Sequence, residues 1–342
     1  MVDGGIRAAN GESGASHTEL CGQHRRLPLL RSGAGSCKKR KDAAPSGEMV
    51  HTNVAKAGPP ARSGNFAELR AGVYLYGMAT LAAGIFDLVW GDFDADHQPI
   101  QAFGDHIPGV TILAYITAVW MMAGGAAILW RRSAKAGGVA LAVIYFVFTV
   151  FWLPRLYWAP HILGVRISVY IGVLAGVGSQ LIVAAAGAVV FASSSLATHS
   201  SASLWPRTIL VARWIFGLCS VDFGLGHLTN VADNLMYVPK WMPPGAGFWV
   251  IVTGICFVLA GLAMLTGILD ALAARLLALM FLVFNAVALP RFIFADPKDH
   301  AAWGGYAYNL AAVAACWILA DSIASHHAER EEGAKARLAE DS

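Results

Sequence analysis

The chain has 342 residues, of which 56% are apolar and only 14% are charged, and its mean hydropathy is +0.54. Soluble domains carry about 25% charged residues, so this composition excludes an ordinary water-soluble globular protein. The formal charge of +3 comes from a basic tail and from loops, which argues against a nucleic-acid partner.

The N-terminal segment, residues 1–70, is rich in Gly, Ser, Ala and Pro and carries the basic run Lys38-Lys39-Arg40-Lys41. It has too little apolar surface to offset the entropy lost on ordering, so we expect a disordered basic tail. Met49 offers an alternative start of translation, and the choice between Met1 and Met49 stays open.

Eight apolar segments follow the tail, each close to the 20 or so residues that a helix needs to cross the hydrocarbon core. They are Ala71–Trp90, Gly109–Trp130, Gly137–Pro154, Ile167–Phe191, Thr208–Asn230, Gly247–Gly267, Ala273–Arg291 and Gly304–Ser322. Most are apolar all round, which predicts an all-α membrane protein. We expect two four-helix units, residues 71–191 and 207–322, joined by a linker at 192–206 and followed by a charged cytoplasmic tail at 323–342.

Lysine and arginine placement predicts the orientation, because short cytoplasmic loops carry an excess of both. Arg131, Arg132 and Lys135 follow the second span, and Arg275 follows the sixth, on the side of the basic N-terminal tail. The loop after the first span is acidic. The pattern predicts that both termini are cytoplasmic and that this acidic loop lies outside.

The two units repeat each other in sequence. Leu153-Pro154-Arg155 matches Leu289-Pro290-Arg291, and Ala123-Gly124 matches Ala260-Gly261, at spacings of 136 or 137 residues. Because each unit has an even number of spans, the repeats must be parallel. Gly84-Ile85-Phe86-Asp87 aligns with Gly224-Leu225-Gly226-His227 at a spacing of 140, which predicts that Asp87 and His227 are equivalent.

The second unit contains a recognisable succession of motifs: Arg213-Trp214-Ile215-Phe216-Gly217, then Gly224-Leu225-Gly226-His227-Leu228, then Val238-Pro239-Lys240-Trp241-Met242-Pro243-Pro244. A helix rich in small residues follows. This resembles the DoxX-like family of small bacterial four-helix membrane proteins over about 110 residues of the second half. The first half departs from it, with Asp87 in place of the histidine.

The resemblance implies a four-helix bundle in a bacterial cytoplasmic membrane, and little chemistry. One branch of that family is associated with a thiosulfate:quinone oxidoreductase and others with membrane-bound redox complexes.

Ionisable residues inside the spans are the candidate functional residues, because such side chains are costly in lipid. The candidate intramembrane polar site comprises Asp87, Arg155, Asp222, His227 and Arg291. One arrangement pairs Asp87 with Arg155, and His227 with Arg291. The site binds a head group, a quinone ring or a proton in one interpretation, and in the other its members form structural interhelical hydrogen bonds.

Enzyme signatures are absent, and neither a catalytic residue nor a metal-ligand set is predicted. The favoured hypothesis is an ancillary or partner subunit of a membrane complex with no catalytic site of its own. The alternatives are a quinone-linked oxidoreductase subunit, with quinone as its cofactor, and a small-molecule or lipid carrier. The substrate, the protein partner and the oligomeric state are not predicted.

Overall fold

The computed structural model describes residues 70–94, 97, 109–196 and 204–340, which are helical apart from short connections. Eight helices are long and apolar enough to cross a membrane, which confirms the predicted number of spans. They are α1 (Arg70–Trp90), α2 (Val110–Leu129), α3 (Ala134–Trp152), α4 (Ile167–Leu196), α5 (Leu204–Thr229), α6 (Ala246–Thr266), α7 (Asp270–Val283) and α8 (His300–Glu340). The predicted disordered tail lies outside the described residues, apart from Arg70.

Short elements complete several of these spans. A helix at Arg155–Leu163 follows α3, and a helix at Val231–Asn234 follows α5. A π-helical turn at Phe284–Ala288 and a helix at Pro290–Ala295 extend α7. Helices α1, α3, α5 and α7 finish at one end of the bundle, the distal end, and the others return to the opposite, proximal end.

The predicted linker at 192–206 is too long at both ends, because α4 continues to Leu196 and α5 begins at Leu204. The hydroxyls of Ser193, Ser194 and Ser195 donate to carbonyls three or four residues earlier, at 2.8–2.9 Å. The three hydroxyls are thereby hydrogen-bonded within the helix itself. At the C-terminus α8 extends to Glu340, since the charged residues after the span are mostly good helix formers.

The helices form a ring in which each half, 70–196 and 204–340, packs its first helix against the last helix of the other half. Helix α1 packs against α2 and α8, and α5 packs against α4 and α6. Helices α4 and α8 also contact each other and are the two most buried spans. Both carry runs of alanine that allow close helix packing, Ala184–Ala186 and Ala311–Ala312. The halves are therefore interlocked rather than two separate four-helix bundles.

Close glycine contacts recur in the two halves. A Cβ added to Gly77 would lie 2.9 Å from the Gly125 carbonyl oxygen, and a Cβ added to Gly217 would lie 3.1 Å from that of Gly261. Corresponding positions thus differ by 140 residues between α1 and α5, and by 136 between α2 and α6. Only glycine permits such an approach of two backbones.

A second pair of contacts follows the same spacings. Added Cβ atoms on Gly84 and Gly224 would lie 2.7 and 2.6 Å from the carbonyl oxygens of Ala118 and Gly254. The spacing of 140 supports the predicted equivalence of Asp87 and His227. In α2 the match is shifted by one residue, so that Gly125, not Gly124, corresponds to Gly261.

Candidate binding cavity

A cavity of about 920 Å³ lies in the second half, between α5, α6 and α7, with α4 and α8 at its back. Its rim includes Leu259, Leu272 and Leu276, whose side chains are exposed on the helical surface. Because these positions lie within apolar spans, the cavity opens sideways towards the bilayer. Along α7 and the π-helical turn that extends it, the lining runs from residue 272 to residue 289. At 1.5 Å per residue this is about 26 Å, close to the thickness of the hydrocarbon core.

Hydrogen-bonding groups line the distal part of the cavity. His227 Nδ1 lies 3.0 Å from Thr253 Oγ1, and that hydroxyl is within bonding distance of the Trp249 and Val250 carbonyls. The hydroxyl has one proton, which it donates to a carbonyl, so it accepts from His227 Nδ1. No Asp or Glu lines the cavity to stabilise a charged ring, and in a neutral imidazole that donates from Nδ1 the Nε2 atom is a hydrogen-bond acceptor.

None of the lining residues is Asp, Glu, Lys or Arg, and most of the lining is apolar. The other polar side chains in it are those of Ser179, Asn230, Asn234, Tyr237, Tyr308 and Asn309. The proximal part consists of Leu, Ala and Met side chains together with Cys256. The π-helical turn at Phe284–Ala288 lines the distal part, and such turns are frequent at functional sites. The cavity is thus graded from polar at its distal end to apolar at its proximal end.

The loop over the distal mouth of the cavity is fixed by side chains from two helical segments. Arg291 Nη1 donates to the Val238 carbonyl at 3.3 Å, and Trp249 Nε1 donates to the Pro243 carbonyl at 2.9 Å. The Arg291 guanidinium also lies over the Phe292 ring, 4.7 Å from its centroid. Arg291 therefore holds the loop and does not line the cavity.

At the corresponding place in the first half, a buried polar cluster surrounds Asp87. One carboxylate oxygen lies 3.3 Å from His97 Nδ1, and the other lies 3.2 Å from His300 Nε2 and accepts from the Asp94 backbone N–H at 3.1 Å. The Asp87, Asp94 and His97 side chains are at most 2% exposed. This cluster ties α1 to the following loop and to α8.

Phe93, Asp94 and His97, which follow α1, are buried inside the first half. The His97 ring stacks on Phe148 with centroids 4.7 Å apart and meets the Tyr145 ring edge-on at 5.7 Å. Phe93, before it, is 3% exposed. In the second half, the segment at Val231–Tyr237 contains no buried residue and covers the mouth instead of entering the bundle.

Four bulky side chains of the first half correspond to smaller ones in the second, at the spacings of 140 in α1 and 136 in α2 and α3. The pairs are Phe86 and Gly226, Trp90 and Asn230, Trp120 and Cys256, and Trp152 and Ala288. All four smaller residues line the cavity. The second half therefore has smaller side chains at these four places of the cavity wall.

Trp120 illustrates how the first half is closed. Its indole N–H donates to the Ala140 carbonyl across the α2–α3 groove at 2.9 Å, and the groove there measures only about 240 Å³. Trp152 lies between the Arg155 guanidinium, 3.7 Å from its ring centroid, and Gly176, where an added Cβ would overlap the indole. Both indoles fill space that stays open in the second half.

The five predicted site residues do not form one site. His227 lines the cavity, whereas Asp87 lies in the polar cluster of the other half. Asp87 contacts His97 and His300, not Arg155, whose guanidinium lies over Trp152. Arg291 holds the mouth loop instead of pairing with His227. Asp222 is half-buried on α5 and is not among the lining residues.

Sequence reasoning missed His97 and His300, because both lie outside the predicted spans. The sequence did contain a signal for His97. Asp87, Asp94 and His97 lie within eleven residues of one another at the end of the first span, and all three can form hydrogen bonds.

Within the described part of the chain, no three His, Cys, Asp or Glu side chains are arranged to hold a metal ion. No family model, curated protein or solved structure matches this chain.

Proposed function

We propose that this integral membrane protein binds an amphiphilic small molecule of the bilayer in the cavity of its second half. The observation that carries the proposal is the difference between the halves: His97 and Trp120 occupy space in the first half, and the second half has an open cavity. At about 920 Å³, the cavity falls within the 300–1,000 Å³ or so typical of small-molecule sites.

This proposal favours the small-molecule or lipid carrier among the three hypotheses, because the cavity opens to the bilayer and is graded in polarity. It is compatible with an ancillary subunit that presents a bound molecule to a membrane complex, and it requires no catalytic residue. A quinone is one amphiphile of suitable form. DoxX-like membership, two parallel repeats, a bacterial cytoplasmic membrane and cytoplasmic termini remain part of the proposal.

The test is to identify the small molecules retained by the protein after extraction in native lipid, using mass spectrometry. The informative variant is Cys256→Trp, since Trp120 occupies the corresponding groove of the first half. Ile255→Trp is the matched control, because that neighbouring side chain is exposed and is not a lining residue.

The proposal predicts one enriched amphiphile in wild type and in Ile255→Trp, and its loss in Cys256→Trp. Equal retention in all three proteins would contradict it. Recovery of a protein partner from all three, with no enriched small molecule, would favour the ancillary role without a ligand.

A further inference from the structure

In the first half, the imidazole ring of His97 is enclosed by aromatic side chains and hydrogen-bonded to Asp87. Its environment indicates what kind of group the open cavity of the second half binds. The imidazole of His97 stacks on Phe148 with an interplanar angle of 26° and points Nδ1 at Asp87 Oδ2, 3.3 Å away. It is 2% exposed, so this slot fully encloses a planar, hydrogen-bonding ring.

The second half has the same slot with different residues. At the spacings of 140 and 136, Asp87, Tyr145 and Phe148 correspond to His227, Phe281 and Phe284. The aromatic pairs have similar geometry: Tyr145 and Phe148 lie 5.8 Å apart at 86°, and Phe281 and Phe284 lie 6.3 Å apart at 90°. All three residues of the second half line the cavity.

The ring nearest this second slot within residues 204–340 is that of Phe257, whose centroid lies 5.3 Å from that of His227, 5.6 Å from that of Phe281 and 6.3 Å from that of Phe284. Phe257 is part of the cavity wall, and the space beside all four rings stays open. The segment that corresponds to the first-half loop is held at the mouth, where Asn234 Nδ2 donates to the Asn230 carbonyl at 2.9 Å. With that side-chain N–H engaged, the Asn234 oxygen is an acceptor at the cavity, as is His227 Nε2.

On the basis of the proposed function, we infer that the slot beside His227 and Phe284 binds an uncharged aromatic ring carrying a hydroxyl donor, such as a phenol or quinol. The ring stacks on Phe284, as His97 stacks on Phe148, and its hydroxyl donates to His227 Nε2. An apolar chain on the ring lies along the α6–α7 groove towards the proximal end. An ionised head group is disfavoured, because no lining residue is Asp, Glu, Lys or Arg.

The experiment measures binding of three probes with the same alkyl chain to the full chain in phosphatidylcholine nanodiscs: 4-dodecylphenol, its methyl ether and 1-dodecanol. The methyl ether lacks the donor, and the alcohol lacks the ring. We expect the phenol to bind about five-fold more tightly than either, the size of effect that one hydrogen bond or one ring stack gives.

Two variants locate the preference. His227→Phe should abolish the difference between the phenol and its ether, and Phe284→Leu should reduce the difference between the phenol and the alcohol. Thr253→Val, which removes the partner of His227 Nδ1, provides a milder change should either of these fail to fold. Phe294→Leu is the control, because Phe294 is an aromatic residue that is 83% exposed and lies outside the cavity lining.

Equal binding of all three probes, lost in Cys256→Trp, would overturn the ring inference and leave the proposed function standing. Binding of none of them, together with no retained amphiphile in the native-lipid experiment, would overturn both.

Discussion

His227 and Asp87 occupy corresponding positions, but the protein supplies them with different partners. The Asp87 carboxylate contacts His97 and His300 and accepts a hydrogen bond from the Asp94 backbone N–H, and its side chain is fully buried. His227 has one side-chain hydrogen-bond partner, Thr253, and its ring lines an open cavity. At the residue scale, therefore, Asp87 is expected to stabilise the fold and His227 to bind.

Replacement of Asp87 tests the structural side of this contrast. Asp87→Ala leaves His97 and His300 without their shared acceptor and loosens three segments at once. We expect a loss of about 3 kcal/mol in the free energy of unfolding, as is found when one member of a buried ionic cluster is removed. Denaturant titration in detergent measures this, with Asp233→Ala, at an exposed residue of the distal loop, as the control.

A stability change in Asp87→Ala no larger than in Asp233→Ala would contradict the role of the cluster.

Replacement of His227 tests the other side. His227→Phe removes one hydrogen bond to Thr253 and keeps a ring of similar shape among Phe257 and Phe284. We expect unfolding free energy to fall by no more than about 1 kcal/mol, while retention of the bound amphiphile decreases. Parallel measurement of both quantities on one preparation separates the roles, and a large loss of stability would assign His227 to the fold instead.

The sequence allowed part of this to be predicted. His227 was identifiable because a histidine inside an apolar span is costly, and the Asp87–His227 match followed from a glycine three residues before each of them, Gly84 and Gly224. The partners of Asp87 were not identifiable. His300 lies more than 200 residues away, on a helix whose contact with α1 follows from interlocking of the halves, and hydropathy carries no information on which helix neighbours which.

At the scale of the helices, glycine contacts fix how α1 meets α2 and how α5 meets α6. In both pairs the backbone oxygens lie where a side chain would otherwise be. Since the two contacts are equivalent, their disruption should have similar consequences even though only one half contains the cavity.

Gly77→Val and Gly217→Val test that equivalence. Each adds a branched side chain against the carbonyl of Gly125 or Gly261, so we expect each to lose about 2 kcal/mol of stability through overpacking. Gly305→Ala is the control, because an added Cβ there meets nothing within 4 Å. Thermal unfolding in detergent compares them. A normal midpoint for either valine variant would be evidence against close packing at that pair.

Span positions were predictable from hydropathy, and their ends were less so. The serine run at the end of α4 looked like a linker because serine is common in loops, yet its hydroxyls bond back to the helix. The open cavity of the second half was not predicted either. Four of its lining residues are smaller than their counterparts in the first half, and this difference becomes visible only after the halves are aligned in register.

For the molecule as a whole, the proposed function divides the roles between two interlocked halves. His97 and the aromatic residues around it occupy the interior of the first half, whereas the second half has an open cavity. The halves contact each other through α4 and α8.

Trp120→Ala tests whether that division depends on the loop as well as on the indoles. The variant widens the α2–α3 groove, but His97 still occupies the ring slot. We therefore expect the number of bound amphiphiles per chain, counted by native mass spectrometry, to stay at one. Two bound molecules per chain would show that Trp120 alone keeps the first half empty of ligand.

The central claim is that the second half binds an amphiphile while the first is filled by the chain itself. The most direct measurement is a cryo-electron microscopy map of the full chain in nanodiscs made from its native lipids. The account predicts an elongated non-protein density between α6 and α7 with its head beside His227 and Phe284, and none beside Phe148. Contact between α6 and α7 along their whole length, with no room between them, would contradict it.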